Sequence, residues 1–126
     1  MPLPLAIALA GAIGALCRWG LTALVQRTVP GVFPWGTLVV NVIGSFAIGL
    51  LAAHFTLREE WPPALRTAVL SGFLGAFTTF STFSFDTLEL LRTGHSLKAV
   101  LNVVLSLGVG LAAVWVGMRM ASGPEQ

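Results

Sequence analysis

Charge is what this chain has least of. Asp, Glu, Lys and Arg make up 10% of its 126 residues, against about 25% in a typical soluble domain, and the mean hydropathy is +0.87. An ordinary soluble domain is thereby excluded. The single cysteine, Cys17, excludes an internal disulfide and reads as a small packed residue. A net charge of +2 spread over helix ends forms no basic patch, which excludes nucleic acid as a partner. No nucleotide motif, catalytic triad or metal-hydrolysis cluster occurs, so no enzyme activity is expected. The start, Met-Pro-Leu-Pro-Leu, has no basic flank and is not expected to be a cleaved secretory signal.

What is present is four apolar runs, each long enough to cross a bilayer, which takes roughly 17–25 residues. They cover residues 3–25, with Arg18 as the one charge, and residues 35–55, with none. The third, 64–91, is charge-free between Arg66 and Asp86, and the fourth, 97–120, between Lys98 and Arg119. The expectation is an all-α membrane protein with one four-helix transmembrane domain over residues 1–126. The connections carry turn chemistry. Thr28-Val-Pro-Gly-Val-Phe-Pro34 separates the first two spans, and Arg58-Glu-Glu-Trp-Pro-Pro63 ends on a double proline suited to opening a helix. Thr93-Gly94-His95-Ser96 reads as a helix stop followed by a serine that caps the next helix. His54 and His95 fall near helix ends, as interfacial residues and not as ligands. The tail from residue 122 to 126 is expected to fray.

The third run is the informative one. Gly72-Phe-Leu-Gly-Ala-Phe-Thr-Thr-Phe-Ser-Thr-Phe-Ser84 places two glycines and five hydroxyls at membrane depth. Such a helix is expected to break near its middle. Non-helical backbone at that depth survives only where it is buried in protein or lines a polar cavity. Two other spans aim polar groups at the same level. Thr37, Asn41 and Ser45 repeat at i, i+4, i+8 and so share a helix face. Asn102, Ser106 and Gly110 repeat that spacing in the fourth span. Both spans start from one membrane side, and the third span ends there, bringing Phe80, Ser81, Phe83, Ser84 and Asp86 to similar depth. Any one hydroxyl is accounted for by bonding to its own i−4 carbonyl, and an asparagine by gluing helices together. A convergent set from three helices is what a polar conduit requires. It offers donors and no deep carboxylate ring, and ring edges carry partial positive charge. That gives a modest preference for a small anion over a cation. Arg18 is costly at membrane depth unless paired or snorkelling, and matched depth predicts an ion pair or a water-linked contact with Asp86 or Glu89.

Orientation is poorly specified. Arg58, Arg66 and Arg119 fall on one side of the membrane, and Arg27, Arg92 and Lys98 on the other, which leaves almost no positive-inside bias. Either the chain inserts both ways and pairs as an antiparallel homodimer, or a weak bias is overridden by another signal. The charges favour the first. Small-xxx-small pairs supply packing surfaces, among them Gly11 with Ala15, Ser45 with Gly49, Ser106 with Gly110 and Ala113 with Gly117.

Three blocks in order resemble the Fluc (CrcB) family of fluoride channels. They are Gly11-Ala-Ile-Gly-Ala-Leu-Cys-Arg18, Gly36-Thr-Leu-Val-Val-Asn-Val-Ile-Gly-Ser-Phe46 and the 72–84 string. The resemblance implies an antiparallel dual-topology homodimer in the bacterial cytoplasmic (inner) membrane, passing fluoride out of the cell passively along two pathways. It implies a structural sodium ion where the two broken helices cross, held by the backbone carbonyls of Gly75 and Thr78. It makes Phe80 and Phe83 the aromatic pair along the pathway, Asn41 a polar ligand, and Ser81, Thr82 and Ser106 hydroxyl lining. Asn102 is placed on the pathway too, although some relatives carry Tyr there, and many carry Glu at Asp86. The alternatives are a small multidrug-resistance-type proton antiporter, which needs a membrane-embedded carboxylate that the first span lacks, and a non-transporting assembly subunit.

Overall fold

The computed structural model describes residues 1–58 and 60–123. The expectation of a frayed tail falls mainly on residues 124–126, outside the described residues. Helix α1 covers Leu3–Thr28 and α2 covers Trp35–Leu57. The third span begins as α3 (Pro63–Thr67), runs through a π-helical stretch (Ala68–Leu74) and ends in a short turn, α4 (Gly75–Phe77). After two residues comes α5 (Phe80–Arg92), and α6 (Ser96–Ser122) completes the chain. Four helical stretches, with α3 to α5 as one, are long and apolar enough to cross a membrane.

Local chemistry sets the ends. Pro62 caps α3 and Pro63 occupies its first position, where a missing N–H costs nothing. Gln26 holds the α1–α2 connection, its Nε2 donating to the Gly31 and Phe33 carbonyls at 3.1 and 3.2 Å. Helix α5 stops at Thr93 and Gly94, whose φ of 81° suits a residue without a Cβ. The next helix starts one residue earlier than the sequence suggests. His95 is the N-cap, because its carbonyl already accepts from Ala99 at 3.0 Å, and Ser96 is the first helical residue, with no capping bond. Thr93 Oγ1 lies 3.0 Å from His95 Nδ1 instead.

Packing divides the third span in two. Its first half, residues 63–77, lies against α1, whereas α5 lies against α6 and, more lightly, α2. The most extensive pairing is α2 with α6. There a Cβ on Gly49 would run into the Val114 carbonyl, and one on Gly117 into the Phe46 carbonyl. Helix backbones touch at these points, which supplies the dispersion contact that association needs in the absence of a hydrophobic drive. Large apolar side chains on α1 and α6 remain exposed, including Trp19, Leu16, Leu111 and Trp115. An outer surface of this kind suits lipid and would be untenable in water.

Candidate functional site

The site grows from the two residues between α4 and α5. Thr78 (φ −86°, ψ 160°) and Thr79 (φ −152°, ψ 111°) are extended, so the i to i−4 ladder stops there. Each backbone group released at membrane depth needs another partner. Thr79 N donates to Asn41 Oδ1 at 2.8 Å, and Asn41 Nδ2 donates to the Thr79 carbonyl at 3.0 Å. Thr82 N donates to Thr79 Oγ1 at 3.2 Å, which caps α5. The amides of Thr79 and Thr82, which in an unbroken helix would serve the Gly75 and Thr78 carbonyls, are thus turned to other acceptors.

Around this break lies an open cavity of about 300 Å³, whose walls include Asn41, Ser45, Thr78, Thr79, Phe80 and Ser106. Gly75 and Phe83 also line it, and among the described residues none of the lining side chains is ionisable. The Phe80 and Phe83 rings are 5.7 Å apart between centroids and tilted by 47°. Phe80 is 77% exposed in the single chain. Ser106, a residue of the cavity wall, has an Oγ that is shut off from solvent and finds no hydrogen-bond partner among the described residues. Gly44 lets α2 approach closely, since a Cβ there would strike Thr78 Cγ2.

Ser81 and Thr82 do not line the cavity themselves. They join it through the Thr79 hydroxyl, which donates to Thr82 Oγ1 at 2.9 Å and lies 3.3 Å from Ser81 Oγ. Asn102 is not brought to the cavity. It is 1% exposed and donates to Thr87 Oγ1 at 2.9 Å, while Thr87 Oγ1 donates to the Phe83 carbonyl at 2.7 Å. One turn separates it from Ser106, enough to point it at α5.

The Arg18 ion pair is not formed. Asp86 Oδ2 accepts from the buried Thr37 hydroxyl at 2.8 Å, and Glu89 pairs with Arg92 at 3.3 Å. Neither carboxylate bridges Arg18, because α1 packs on the first half of the third span and the two acids sit on the second. A matched depth in the sequence does not fix lateral placement. Asp86 and Glu89 line a separate recess of about 280 Å³ with Val32, Pro34, Leu90 and Thr93. His54 lies in the last turn of α2, its ring 6.2 Å from that of Trp61.

Two residues escaped the sequence reading. Thr79 is the hub of the break, and its signal was a threonine followed three residues later by a second hydroxyl, an N-cap pattern inside an apolar run. Thr87, the partner of Asn102, left no signal beyond lying on the same side as Phe83.

Residues 5–118 match the model of the family described as CrcB-like protein, Camphor Resistance (CrcB). A "Fluoride-specific ion channel FluC" of Citrifermentans bemidjiense is 47% identical over 115 residues, which cover 91% of this chain and 93% of that protein. One from Nitratidesulfovibrio vulgaris is 48% identical over 112 residues, covering 89% and 90%. A "Fluoride-specific ion channel FluC 2" of Geobacillus kaustophilus is 45% identical over 122 residues, covering 97% and 94%.

Proposed function

This chain belongs to the CrcB family, and from that premise we infer that it is a fluoride-specific ion channel, a multi-pass membrane protein and not an enzyme. The observation that carries the reading is the uncharged, donor-bearing cavity at the helix break. Fluoride is small and strongly hydrated, so a route for it must replace water with fixed donors. Asn41, the unpartnered Ser106 hydroxyl and the edges of Phe80 and Phe83 are the candidates in the wall. Ser81 and Thr82 extend this set through Thr79. Asn102 acts as a packing residue beside the route.

The finer reading is a homodimer of antiparallel copies in the bacterial inner membrane. Three features support it: the near-even split of basic residues, a cavity that the single chain leaves partly open, and the exposure of Phe80 and Phe85 on α5. A second copy laid across the break would close the cavity wall. Gly75 and Thr78 then suit a structural sodium ion, since their carbonyls have lost the amides that would occupy them, and oxygen ligands match a hard cation. Two copies would double that oxygen set, and the ion would hold the crossing helices together. Transport is passive export. Hydrogen fluoride enters neutral and ionises in the cytoplasm, and the membrane potential drives the anion outward.

Efflux from liposomes tests this. Fluoride, chloride and a cationic dye are each loaded, with and without a proton gradient. Fluoride-selective efflux that ignores the gradient is expected. Proton-coupled dye exchange would instead indicate the antiporter, which Arg18 and the absence of any acid in α1 disfavour, and no flux would indicate an assembly subunit.

A further inference from the structure

We propose that Thr79 is a positioning residue for Asn41: its peptide group locks the Asn41 amide in one orientation, so that the cavity receives an N–H donor and never the amide oxygen. The inference rests on the reading of the cavity as an anion route. An asparagine amide offers one acceptor oxygen and two N–H donors, and on a flexible side chain it can turn either end outward. Here the choice is made by the backbone. Because Thr79 is extended, its N–H and C=O both meet Asn41, with bonds of 2.8 and 3.0 Å running in opposite directions. Flipping the amide would set oxygen against oxygen and N–H against N–H. Both bonds would become repulsions at a depth where water does not relieve them.

Counting valences gives the consequence. Thr79 N takes one of the two lone pairs of the amide oxygen and so turns that oxygen to the backbone, and the Thr79 carbonyl takes one N–H. One N–H remains, on a residue that walls the cavity. With no ionisable side chain among the described residues of that wall, the orientation of such dipoles decides which sign of ion is favoured. A cation would have to share with Thr79 N the oxygen that the clasp already holds. The Thr79 hydroxyl fixes the other half of the clasp, by capping Thr82 N.

Asn41→Asp in the full chain tests this, because a carboxylic acid can satisfy both Thr79 bonds only when protonated. A Thr79 carbonyl that demands a donor stabilises the neutral acid and raises its midpoint. Ser45→Asp, one helical turn further along the same cavity wall, is the control for burial. Asp86 is the only native aspartate, so selective 13C-aspartate labelling gives two resolvable signals in each variant. The midpoint at position 41 is expected at least about one pH unit above that at position 45. Equal midpoints, or the reverse order, would overturn the clasp. Fluoride flux through Asn41→Asp should fall about tenfold or more at neutral pH, since the protonated acid spends its one donor on Thr79 and the carboxylate has none. Retained flux would overturn the role of the remaining N–H.

Should Asn41→Asp fail to assemble, the parent chain itself is read by 15N-asparagine labelling, as asparagine occurs only at 41 and 102. Fluoride is expected to shift one proton of the Asn41 amide pair and leave its sibling in place; equal shifts of both, or of neither, count against the clasp. Parent flux without fluoride selectivity would instead sink the channel reading. The midpoint comparison stands apart from that result.

Discussion

Gly44→Ala puts one methyl where the break meets α2, and its effect can be worked from the neighbours. The new Cβ would strike Thr78 Cγ2 and lie 3.3 Å from Phe77 Cδ1. Two routes relieve the overlap. Thr78 can rotate about χ1, but its Oγ1 donates to the Leu74 carbonyl at 3.0 Å, and losing that bond costs ~1 kcal/mol. Alternatively the backbone at 78–79 moves away from α2 and stretches the two Asn41 bonds beyond hydrogen-bond range, at roughly 2 kcal/mol for the pair. Overpacking in general costs about 1–3 kcal/mol, so both routes fall in one range. A distortion of that size at the cavity wall should lower fluoride efflux about tenfold and lower thermal stability measurably. Thr78→Ser removes Cγ2 and keeps the hydroxyl, so alone it should be near neutral. The double variant Gly44→Ala with Thr78→Ser should return to within about twofold of the parent, a coupling of 0.5–3 kcal/mol being usual for residues in contact. Liposome efflux and thermal unfolding in detergent measure both quantities. Strictly additive effects would refute the contact argument.

Phe80→Ile and Phe83→Ile should each reduce fluoride flux while leaving the assembly intact by gel filtration, because an apolar side chain is kept and the ring edge is lost. Gly117→Val should prevent assembly or cost more than about 3 kcal/mol in unfolding assays, since its side chain would collide with the Phe46 carbonyl and Leu50 N, main-chain atoms that cannot step aside. Asn102→Leu should cost ~1–3 kcal/mol of stability by stripping Thr87 of its donor, yet leave fluoride-over-chloride selectivity unchanged. Exchanging sodium for a large organic cation during purification should abolish flux if Gly75 and Thr78 hold a structural ion; unaltered flux would remove that ion from the account.

Much of this molecule is legible in its sequence because lipid simplifies the rules. Every span must satisfy its own backbone, so length and hydropathy locate the four helical stretches, and Pro62, Pro63 and Gly94 mark ends through geometry that only their ring or missing Cβ permits. Gly49 and Gly117, read from spacing alone, prove to be points where α2 and α6 touch. Asn41, Phe80, Phe83 and Ser106 meet at one cavity because helical periodicity fixes both face and depth. The failures share a cause. Depth says nothing about lateral neighbours, so it pairs Arg18 with Asp86 or Glu89, although its helix packs elsewhere. Asn102 shares a face with Ser106, but a small rotation sends it to Thr87. Thr79 went unnoticed because its importance lies in its backbone, and a sequence displays side chains.

Purified protein in a planar bilayer, under opposed fluoride and chloride gradients, gives the most direct measurement. A reversal potential that follows the fluoride gradient alone, indifferent to chloride and pH, is the predicted result. One that tracks chloride, or that moves with a proton gradient at fixed fluoride, would contradict a passive route built from oriented donors.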